Sequence, residues 1–314
     1  MARCSDIAIL LSLPFKILYY MCESAILWMV PLSLRRKQCI EGDTALVTGA
    51  GNGIGRHVAL GLAAKGVRVA LLDRDVQAVT SVHQEIRSRG GQAHIFICDL
   101  SSRKQIYETA ASIRSTIGEV TILINNAGVV NGKTILDLCD EEIENSFAVN
   151  VMAHFWMVRA FLPDMMSQNR GHIVTISSVA AVAGIRKLGD YCASKAAATI
   201  LHETVATEVR VAGYKGIHAT LVAPYLVDTG MFAGATSRFP WITPILGPAV
   251  VAEKVIQAIL YKEAKVTLPA IMRFLIPIYR ILPTKIVESK DDIFGLQRCM
   301  DNFTGRKRSA HSDL

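Results

Sequence analysis

The sequence predicts an α/β fold in which a doubly wound parallel sheet carries helices on both faces. Short apolar runs rich in β-branched residues alternate with longer stretches of helical periodicity, and a glycine-rich turn follows the first run. Such alternation is typical of parallel strands joined by helical crossovers. Strands are predicted at residues 44–48, 67–72, 93–98, 120–125, 172–177, 217–222 and 265–268. Helices are predicted at residues 53–65, 76–89, 103–117, 141–166 and 191–211.

We expect these elements to form one domain at residues 42–268, because the composition does not change within that span. Residues 1–41 are predicted to be a hydrophobic membrane-attachment segment followed by a basic linker. Residues 269–314 are predicted to form an amphipathic C-terminal helix and a basic tail.

The composition excludes disorder for most of the chain, because 51% of the residues are hydrophobic and only 19% are charged. The net charge of +7 is concentrated at Arg35-Arg36-Lys37 and at Arg306-Lys307-Arg308. These clusters are either solvated or meet an anionic membrane surface, and no nucleic-acid-binding motif accompanies them. Seven scattered cysteines without ligand spacing favour a reducing compartment, and we predict no metal site.

Residues 7–34 form a mostly apolar segment that Lys16 and Glu23 interrupt. A cleaved signal peptide is disfavoured, because the apolar stretch is too long and no clear cleavage site follows it. A spanning helix would place both charges near the bilayer centre, where a lysine costs about 2.5 to 3.5 kcal/mol. We therefore favour monotopic attachment over a spanning anchor. In both cases the basic run that follows marks the cytosolic side.

The stretch at residues 266–283 is again rich in Leu, Ile and Met. Arg273 and Arg280 lie seven residues apart, which is nearly two helical turns, so both would share one face of an amphipathic helix. This helix either packs on the core or makes a second membrane contact.

A glycine-rich run, Thr48-Gly49-Ala50-Gly51-Asn52-Gly53-Ile54-Gly55, follows the first predicted strand and opens a helix. Glycines permit positive φ and let the backbone approach a pyrophosphate, which the helix N-terminus then stabilises. Such a run can be merely a turn, but a strand before it and a helix after it favour the dinucleotide-binding (Rossmann) arrangement. Contacts with the cofactor are predicted for Gly49, Gly53, Ile54 and Gly55.

An acidic residue, Asp73, ends the second predicted strand 18 residues beyond Gly55. This spacing suits a carboxylate that accepts the ribose hydroxyls of NAD, and its charge would repel the 2′-phosphate of NADP. Arg74 is the complication, because a guanidinium can pair with that phosphate. We expect the carboxylate to dominate, so NAD is predicted and NADP is the alternative.

Further cofactor contacts are predicted where the third and fourth strands end. Asp99 and Leu100 would lie near the adenine. The sequence Asn125-Asn126-Ala127-Gly128 reaches the carboxyl edge of the sheet, where ligands of this fold bind, so Asn126, Ala127 and Gly128 are assigned to the cofactor. The asparagines could equally stabilise the central sheet.

A serine, a tyrosine and a lysine supply the chemistry. Tyr191 and Lys195 are four residues apart and share one helical face. An ammonium beside a phenol favours the phenolate. Lowering the phenol pKa by about 3 units takes roughly 4 kcal/mol, which Lys195 and the cationic nicotinamide ring would supply together in a desolvated cleft. Tyr191 would then exchange the alcohol proton while Ser178 fixes the substrate oxygen. Tyr191 and Lys195 would also contact the cofactor, the lysine through the nicotinamide ribose.

The order of these motifs resembles the short-chain dehydrogenase/reductase family from Thr44 to about Thr229. That family also places an asparagine on the helix after the fourth strand, and Asn150 matches its position. The resemblance implies a proton-relay water at Asn150 and hydride exchange with a nicotinamide dinucleotide. One departure is Tyr225, which follows Pro224 where the family usually has glycine.

Further sequence pieces are similar to the membrane-bound retinol dehydrogenase and 17-beta-hydroxysteroid dehydrogenase subgroup. They include residues 127–133, 154–156 and 224–232, together with the apolar N-terminus. This likeness implies a lipophilic alcohol, ketone or aldehyde as substrate, such as a retinoid or steroid. It also implies residence on the endoplasmic reticulum membrane or a lipid droplet, with the catalytic domain facing the cytosol. Homodimer formation and the direction of reaction are left open.

Two other functions compete with an NAD-dependent dehydrogenase. One is an NADP(H)-dependent carbonyl reductase, and the other is a lipid-droplet surface protein with little turnover. The intact Ser178, Asn150, Tyr191 and Lys195 argue against the second. The residues expected to cap the substrate are apolar, which suggests a greasy pocket but not its shape: Met231, Phe232, Phe239, Pro240 and Trp241.

Overall fold

The computed structural model describes residues 12–19, 21, 22, 30 and 34–305. Residue contacts divide the chain into two units, Met1–Gln38 and Cys39–Leu314. In the first unit, residues 12–19 are helical, and most of the predicted attachment segment at residues 7–34 lies outside the described residues. Within the described ranges, every helix falls short of the length or the apolar character that crossing a bilayer requires.

The second unit contains one sheet of seven parallel strands in the order β3-β2-β1-β4-β5-β6-β7. Each strand lies within one or two residues of its predicted position, so the predicted doubly wound sheet is confirmed. The strands are β1 Thr44–Thr48, β2 Arg68–Asp73, β3 Ala93–Ile97, β4 Ile122–Asn125, β5 Gly171–Ile176, β6 Ile217–Pro224 and β7 Lys265–Leu268.

Helices cover both faces of this sheet. They are α1 Gly53–Ala63, α2 Val76–Ser88, α3 Arg103–Ile117, α4 Asp140–Phe147, α5 Ala153–Ser167, α6 Gly189–Val211, α7 Pro248–Tyr261, α8 Met272–Ile281 and α9 Thr284–Phe294. Buried side chains of α1, α2 and α7 form one apolar layer, and those of α3, α5 and α6 form the other. Alternate residues of β1 face opposite layers, with Val47 in the first and Leu46 in the second.

The chain reverses its direction across the sheet between β1 and β4. Strand order runs outward from β1 to β3 on one side and from β4 to β7 on the other. A sheet of this topology forms a crevice at the carboxyl ends of the strands where the order reverses.

The helices α2 and α3 begin with a capped first turn, in which the side chains of Asp75 and Ser102 accept hydrogen bonds from the backbone N–H groups of Ala78 and Gln105.

One predicted helix is interrupted. Residues 141–166 were expected as a single helix, but α4 and α5 are separated by a π-helical turn at Ala148–Met152. Asn150 lies inside this turn and is fully buried. Its side chain forms hydrogen bonds with the backbone of Val129, at the point where the regular helix is interrupted. π-Turns of this kind occur often at functional sites.

The predicted amphipathic stretch at 266–283 is divided differently in the structure. β7 occupies its beginning, α8 starts only after Pro269, and a second helix follows Pro283. Proline lacks the N–H that a continuing helix or strand needs, which explains both interruptions. The side chain of Arg280 lies outside the described residues, so a face shared with Arg273 stays a prediction.

Candidate active site

The glycine-rich run forms a tight turn between β1 and α1. Gly49 and Gly53 have φ of 65° and 54°, which only glycine adopts without strain. A Cβ atom at Gly55 would lie 2.2 Å from the Gly49 carbonyl oxygen, so this turn has no room for a side chain. Ile54 packs against the core and anchors the first turn of α1. The turn therefore suits a pyrophosphate, which requires close approach to backbone N–H groups.

The acidic residue at the tip of β2 holds this turn. Asp73 Oδ2 accepts a hydrogen bond of 2.8 Å from the Gly51 N–H, and Oδ1 accepts one of 3.1 Å from Asp75 N–H. Arg74 is exposed to solvent beside it. Negative charge thus lies at the site predicted for the adenosine ribose.

The neighbouring strand tip carries Asp99 and Leu100. Asp73 is paired with Ile97 in the sheet, so Asp99 follows β3 close to the tip of β2. Asp99 Oδ1 accepts from the Ser101 N–H, whereas the Leu100 side chain is buried in the core. Leu100 can therefore serve a cofactor only through its backbone.

The turn after β4 is tied to the turn after β1. The Asn126 amide donates to the Thr48 carbonyl at 2.9 Å, and the Thr48 hydroxyl accepts from the N–H groups of Asn126 and Ala127. A Cβ atom at Gly128 would meet Asn150 Oδ1 at 3.2 Å and Lys195 Nζ at 3.4 Å. Asn126 thus stabilises the sheet, while Gly128 brings the β4 turn up to the lysine.

The three predicted chemical groups meet at the carboxyl end of β5. Ser178 follows that strand, and α6 begins at Gly189 and carries Tyr191 and Lys195 in its first two turns. The Ser178 hydroxyl lies close enough to the Tyr191 phenol to lower its pKa, and it donates a hydrogen bond of 3.4 Å to the Pro224 carbonyl. Lys195 Nζ donates to the Ile176 carbonyl at 2.9 Å and lies 5.7 Å from the centre of the Tyr191 ring. All three side chains are buried.

The π-turn fixes Asn150 beside this group. Its Oδ1 accepts from the Val129 N–H at 2.8 Å, and its Nδ2 donates to the Val129 carbonyl and to the Ser194 hydroxyl at 2.9 Å. The structure therefore brings together all four residues predicted as catalytic, on β5, α6 and the π-turn.

Comparison with known proteins agrees with this geometry. A family model described as short chain dehydrogenase matches residues 43–238. The chain belongs to the short-chain dehydrogenase family.

Relatives of this short-chain dehydrogenase include epidermal retinol dehydrogenase 2 of Mus musculus, which is 40% identical and covers 86% of this chain and 87% of its own. The predicted likeness to retinol dehydrogenases is thus confirmed. A Burkholderia phymatum short chain dehydrogenase/reductase in complex with NAD has a TM-score of 0.71, with 27% identity over 81% of this chain and 96% of its own. A metagenomic short-chain oxidoreductase in complex with NADP has a TM-score of 0.63, with 31% identity over 74% and 98%. The chain is an NAD(P)-dependent oxidoreductase.

The electrostatics of the dehydrogenase differ from expectation at Tyr191. Burial raises the pKa of its phenol above the ordinary value, the Ser178 hydroxyl lowers it, and Cys192 raises it. Burial also lowers the pKa of Lys195 to about 8. In the protein alone the Tyr191 pKa is thus raised rather than lowered, because burial is the largest influence on the phenol. A lowering of that pKa by Lys195 together with a bound cationic nicotinamide ring stays a prediction.

An apolar wall stands over Tyr191. The ring of Phe232, on the short helix Gly230–Phe232, meets the Tyr191 ring edge to face at 5.5 Å between centroids. By contrast, Phe239 and Trp241 stack on each other, and Trp241 is 80% exposed. Of the aromatic residues predicted to cap the substrate, only Phe232 thus contacts the tyrosine ring in the described part of the chain.

Residues 295–305, here called the C-terminal strap, complete this wall and were missed from the sequence. Met300 is 1% exposed and packs in the same cluster as Tyr191 and Phe232. The strap is held by the Arg186–Asp301 ion pair at 2.6 Å. It also forms backbone hydrogen bonds to the loop that follows the short helix Gly230–Phe232, including one from the Thr304 N–H to the Ala233 carbonyl. The strap has a few apolar residues, including Met300 and Phe303, and one residue of each charge, which is too weak a pattern to predict this contact from sequence alone.

Proposed function

We propose that this dehydrogenase exchanges a hydride between NAD and a lipophilic alcohol of the retinoid or steroid type. The observation that carries the proposal is the burial of Ser178, Tyr191 and Lys195 together at the carboxyl end of β5, under an apolar wall and next to the glycine turn. A bound nicotinamide dinucleotide accepts or supplies the hydride. Everything else in the reaction falls to side chains of this chain.

Proton transfer falls to Tyr191. The Ser178 hydroxyl lies beside the phenol, where it can orient one substrate oxygen by hydrogen bonding. In alcohol oxidation the phenolate of Tyr191 takes the hydroxyl proton, and in carbonyl reduction the phenol donates a proton to the same oxygen. Lys195, whose Nζ is held by the Ile176 carbonyl, keeps positive charge close to the phenol below a pH of about 8.

Asn150 acts indirectly. Because both atoms of its amide are engaged by Val129 and Ser194, its side chain fixes the π-turn and the first turns of α6 relative to each other. We therefore assign Asn150 a positioning role. The family resemblance also implies that Asn150 binds a proton-relay water, which stays a prediction; because the side chain is engaged, the backbone carbonyl would have to bind that water.

The residues present fit a nicotinamide dinucleotide. Side chains are excluded from the turn at Gly49 and Gly55, which leaves backbone N–H groups for a pyrophosphate. Asp73 stands where the adenosine ribose is expected, and Thr229 approaches Gly53 from the opposite side of the turn. NAD is favoured over NADP because the Asp73 carboxylate would repel a 2′-phosphate, while the exposed Arg74 is free to point into solvent.

We expect Asp73→Asn to weaken the preference for NAD by about tenfold, which corresponds to roughly 1.4 kcal/mol. Asparagine keeps an oxygen that can accept the Gly51 N–H but loses the charge that repels the phosphate. The measurement is the ratio of kcat/KM for NAD and NADP. Asp75→Asn is the matched control, because it removes an equal charge two residues away. Asp75 caps α2 by accepting a hydrogen bond from the Ala78 N–H. A wild-type enzyme that prefers NADP would reject the assignment and favour the carbonyl reductase.

The substrate class is tested by turnover. We expect the full-length protein in membranes to oxidise a retinoid or steroid alcohol with NAD, since the wall formed by Phe232 and Met300 is apolar. The epidermal retinol dehydrogenase relatives support the retinoid as the first choice. A panel that yields no turnover with either cofactor, in protein that binds NADH, would instead favour the surface protein with little turnover.

Membrane attachment is proposed at two places. The apolar segment at residues 7–34 is the primary anchor. Exposed apolar side chains on one face of α8 support a second contact, and they belong to Ile271, Phe274, Ile278 and Ile281. We propose residence on the endoplasmic reticulum membrane or a lipid droplet, with the domain at 42–268 in the cytosol. Homodimer formation stays a prediction.

Deleting residues 1–34 is expected to move the protein from the membrane fraction to the soluble fraction, because the primary anchor is lost. The distribution is measured by flotation of lysates. Full retention on membranes would transfer the anchoring role to α8, and Ile278→Glu in the shortened chain would then release it.

A further inference from the structure

A small cavity lies between α5, α6 and the strands β4 and β5 and is lined mostly by apolar side chains. It leaves about 10 Å³ to a water-sized molecule, and four of its nine lining residues are polar, namely Asn125, His154, Thr175 and His202. Three of these residues continue the elements of the proposed site. Asn125 precedes the turn that carries Asn126 and Gly128, and His154 lies one helical turn beyond Asn150. His202 follows Lys195 by seven residues on α6, nearly two turns along the same face.

Two of the lining side chains lack partners. Within the described part of the chain, neither amide atom of Asn125 and neither ring nitrogen of His154 has a hydrogen-bond partner. Both residues are nevertheless buried, with 1% and 4% exposure. His202 and Thr175 differ, because they bond to each other at 3.0 Å. Buried polar groups in native proteins nearly always have a protein or water partner.

The cavity suits one water molecule. Its volume matches the smallest space that holds a water, which needs two to four polar partners. The amide of Asn125 offers both a donor and an acceptor, and a neutral imidazole offers one of each. Burial, with a smaller contribution from the positive charge of Lys195, lowers the pKa of His154 to about 3. His154 is therefore neutral at physiological pH and can accept one hydrogen bond and donate another.

We propose that Asn125 and His154 hold one buried water in this cavity, and that this water-linked pair positions Lys195. The pair joins β4 to α5 at a cavity that Ala198, Leu201 and His202 of α6 also line, in the turns that follow Lys195. It therefore fixes the spacing between the cofactor turn after β4 and the Lys195 ammonium. Both residues act through Lys195 and are positioning residues.

The groups around Lys195 allow a specific readout. The ring centre of Tyr191 lies 5.7 Å from the ammonium on the same helix, and the charges of Lys195 and His202 both lower the pKa of His154 on α5. β5 contributes the Ile176 carbonyl and is followed by the Ser178 hydroxyl. Since burial places the pKa of Lys195 at about 8, its titration falls within the range of an ordinary pH profile. A change in the position of Lys195 should move that inflection.

The water is tested by crystallography of the full chain, independently of any activity. We expect density for one ordered water within hydrogen-bonding distance of Asn125 and His154. A direct hydrogen bond between the two side chains, or a cavity without density at a resolution that shows other buried waters, would overturn the proposal.

The positioning role rests on the proposed function and is tested with His154→Phe, which keeps a planar ring and removes both nitrogens. We expect kcat/KM to fall by about tenfold to a hundredfold, as small displacements at an active site do. We also expect the inflection near pH 8 in NADH binding to shift. His154→Gln, which retains polar atoms, should restore part of both. The matched control is His172→Phe, near the start of β5. Like His154, His172 is buried, with 2% exposure, and has a pKa of about 3, but it forms a hydrogen bond with Thr220.

The outcomes separate the two proposals. If kcat/KM fell equally in His154→Phe and His172→Phe, and the inflection near pH 8 in NADH binding did not shift, His154 would have only a structural role. That result would overturn the positioning role. A wild-type protein that binds NADH but oxidises no alcohol would defeat the proposed function, and the NADH-binding profile would still decide the role of His154. If the His154 variants do not fold, the density alone decides, and an absent water rejects the proposal.

Discussion

Tyr191→Phe is expected to lower kcat by about a hundredfold to ten thousandfold, the range that general acid–base catalysis supplies. The substitution removes only the hydroxyl that meets Ser178 and leaves the ring that packs against Phe232. Because the phenol is the group proposed to exchange the proton with the substrate oxygen, its removal leaves that oxygen without an acid–base partner. The measurement is steady-state turnover with the best alcohol found in the substrate panel.

Binding and folding are the controls for this variant. NADH affinity, followed by fluorescence, should stay within about twofold of wild type, since the hydroxyl is directed at the substrate oxygen. Tyr214→Phe makes the same chemical change at a partly buried tyrosine that packs against the core, away from Ser178, and should keep full activity. Turnover of Tyr191→Phe within tenfold of wild type would remove the phenol from the mechanism.

Gly55→Ala is expected to weaken NADH binding by about tenfold to a hundredfold, because overpacking a tight site typically costs 1 to 3 kcal/mol. The new Cβ atom would lie 2.2 Å from the Gly49 carbonyl oxygen and 2.5 Å from Asn126 Nδ2. The glycine turn would therefore have to move away from the β4 turn. Isothermal titration of NADH measures the loss, and thermal unfolding shows how much of it accompanies a less stable fold.

A second glycine serves as the control for Gly55. Gly247 precedes α7, its φ is −68°, and a Cβ atom placed there would meet nothing within 4 Å. Gly247→Ala should therefore bind NADH as wild type does. Unchanged affinity in Gly55→Ala would mean that the cofactor does not use this turn.

The sheet could be predicted closely from sequence because its strands are buried on both sides. Such strands have nearly continuous apolar runs, and β1, for example, is buried at all five positions. The site followed from the same pattern, since the glycine turn, Asp73 and Ser178 each follow a strand. Parallel strands bring their carboxyl ends to one edge, and local sequence order therefore implies spatial proximity.

What escaped prediction depends on contacts between distant parts of the chain. Met300 of the strap packs in the same cluster as Tyr191, although more than a hundred residues separate them in the sequence. The short sequence of the strap does not indicate such a contact. The raised pKa of Tyr191 depends on burial, which the spacing of Tyr191 and Lys195 does not reveal. The π-turn escaped because a single wide turn leaves the apolar periodicity on either side almost unchanged.

That π-turn makes the length of one short segment unusually critical. A wide turn accommodates one more residue than a regular one, and each residue of an α-helix rotates the chain by about 100°. Deleting a single residue between Ala148 and Met152 would restore a regular helix and leave His154 and the later side chains of α5 facing the same neighbours, because the wide turn absorbs the extra residue locally. Asn150, however, lies within the wide turn and would lose the position from which it bonds to Val129 and Ser194. We infer that loss of one residue here would spare the fold and damage the site, so the residue number of this segment should be preserved wherever Asn150 is needed.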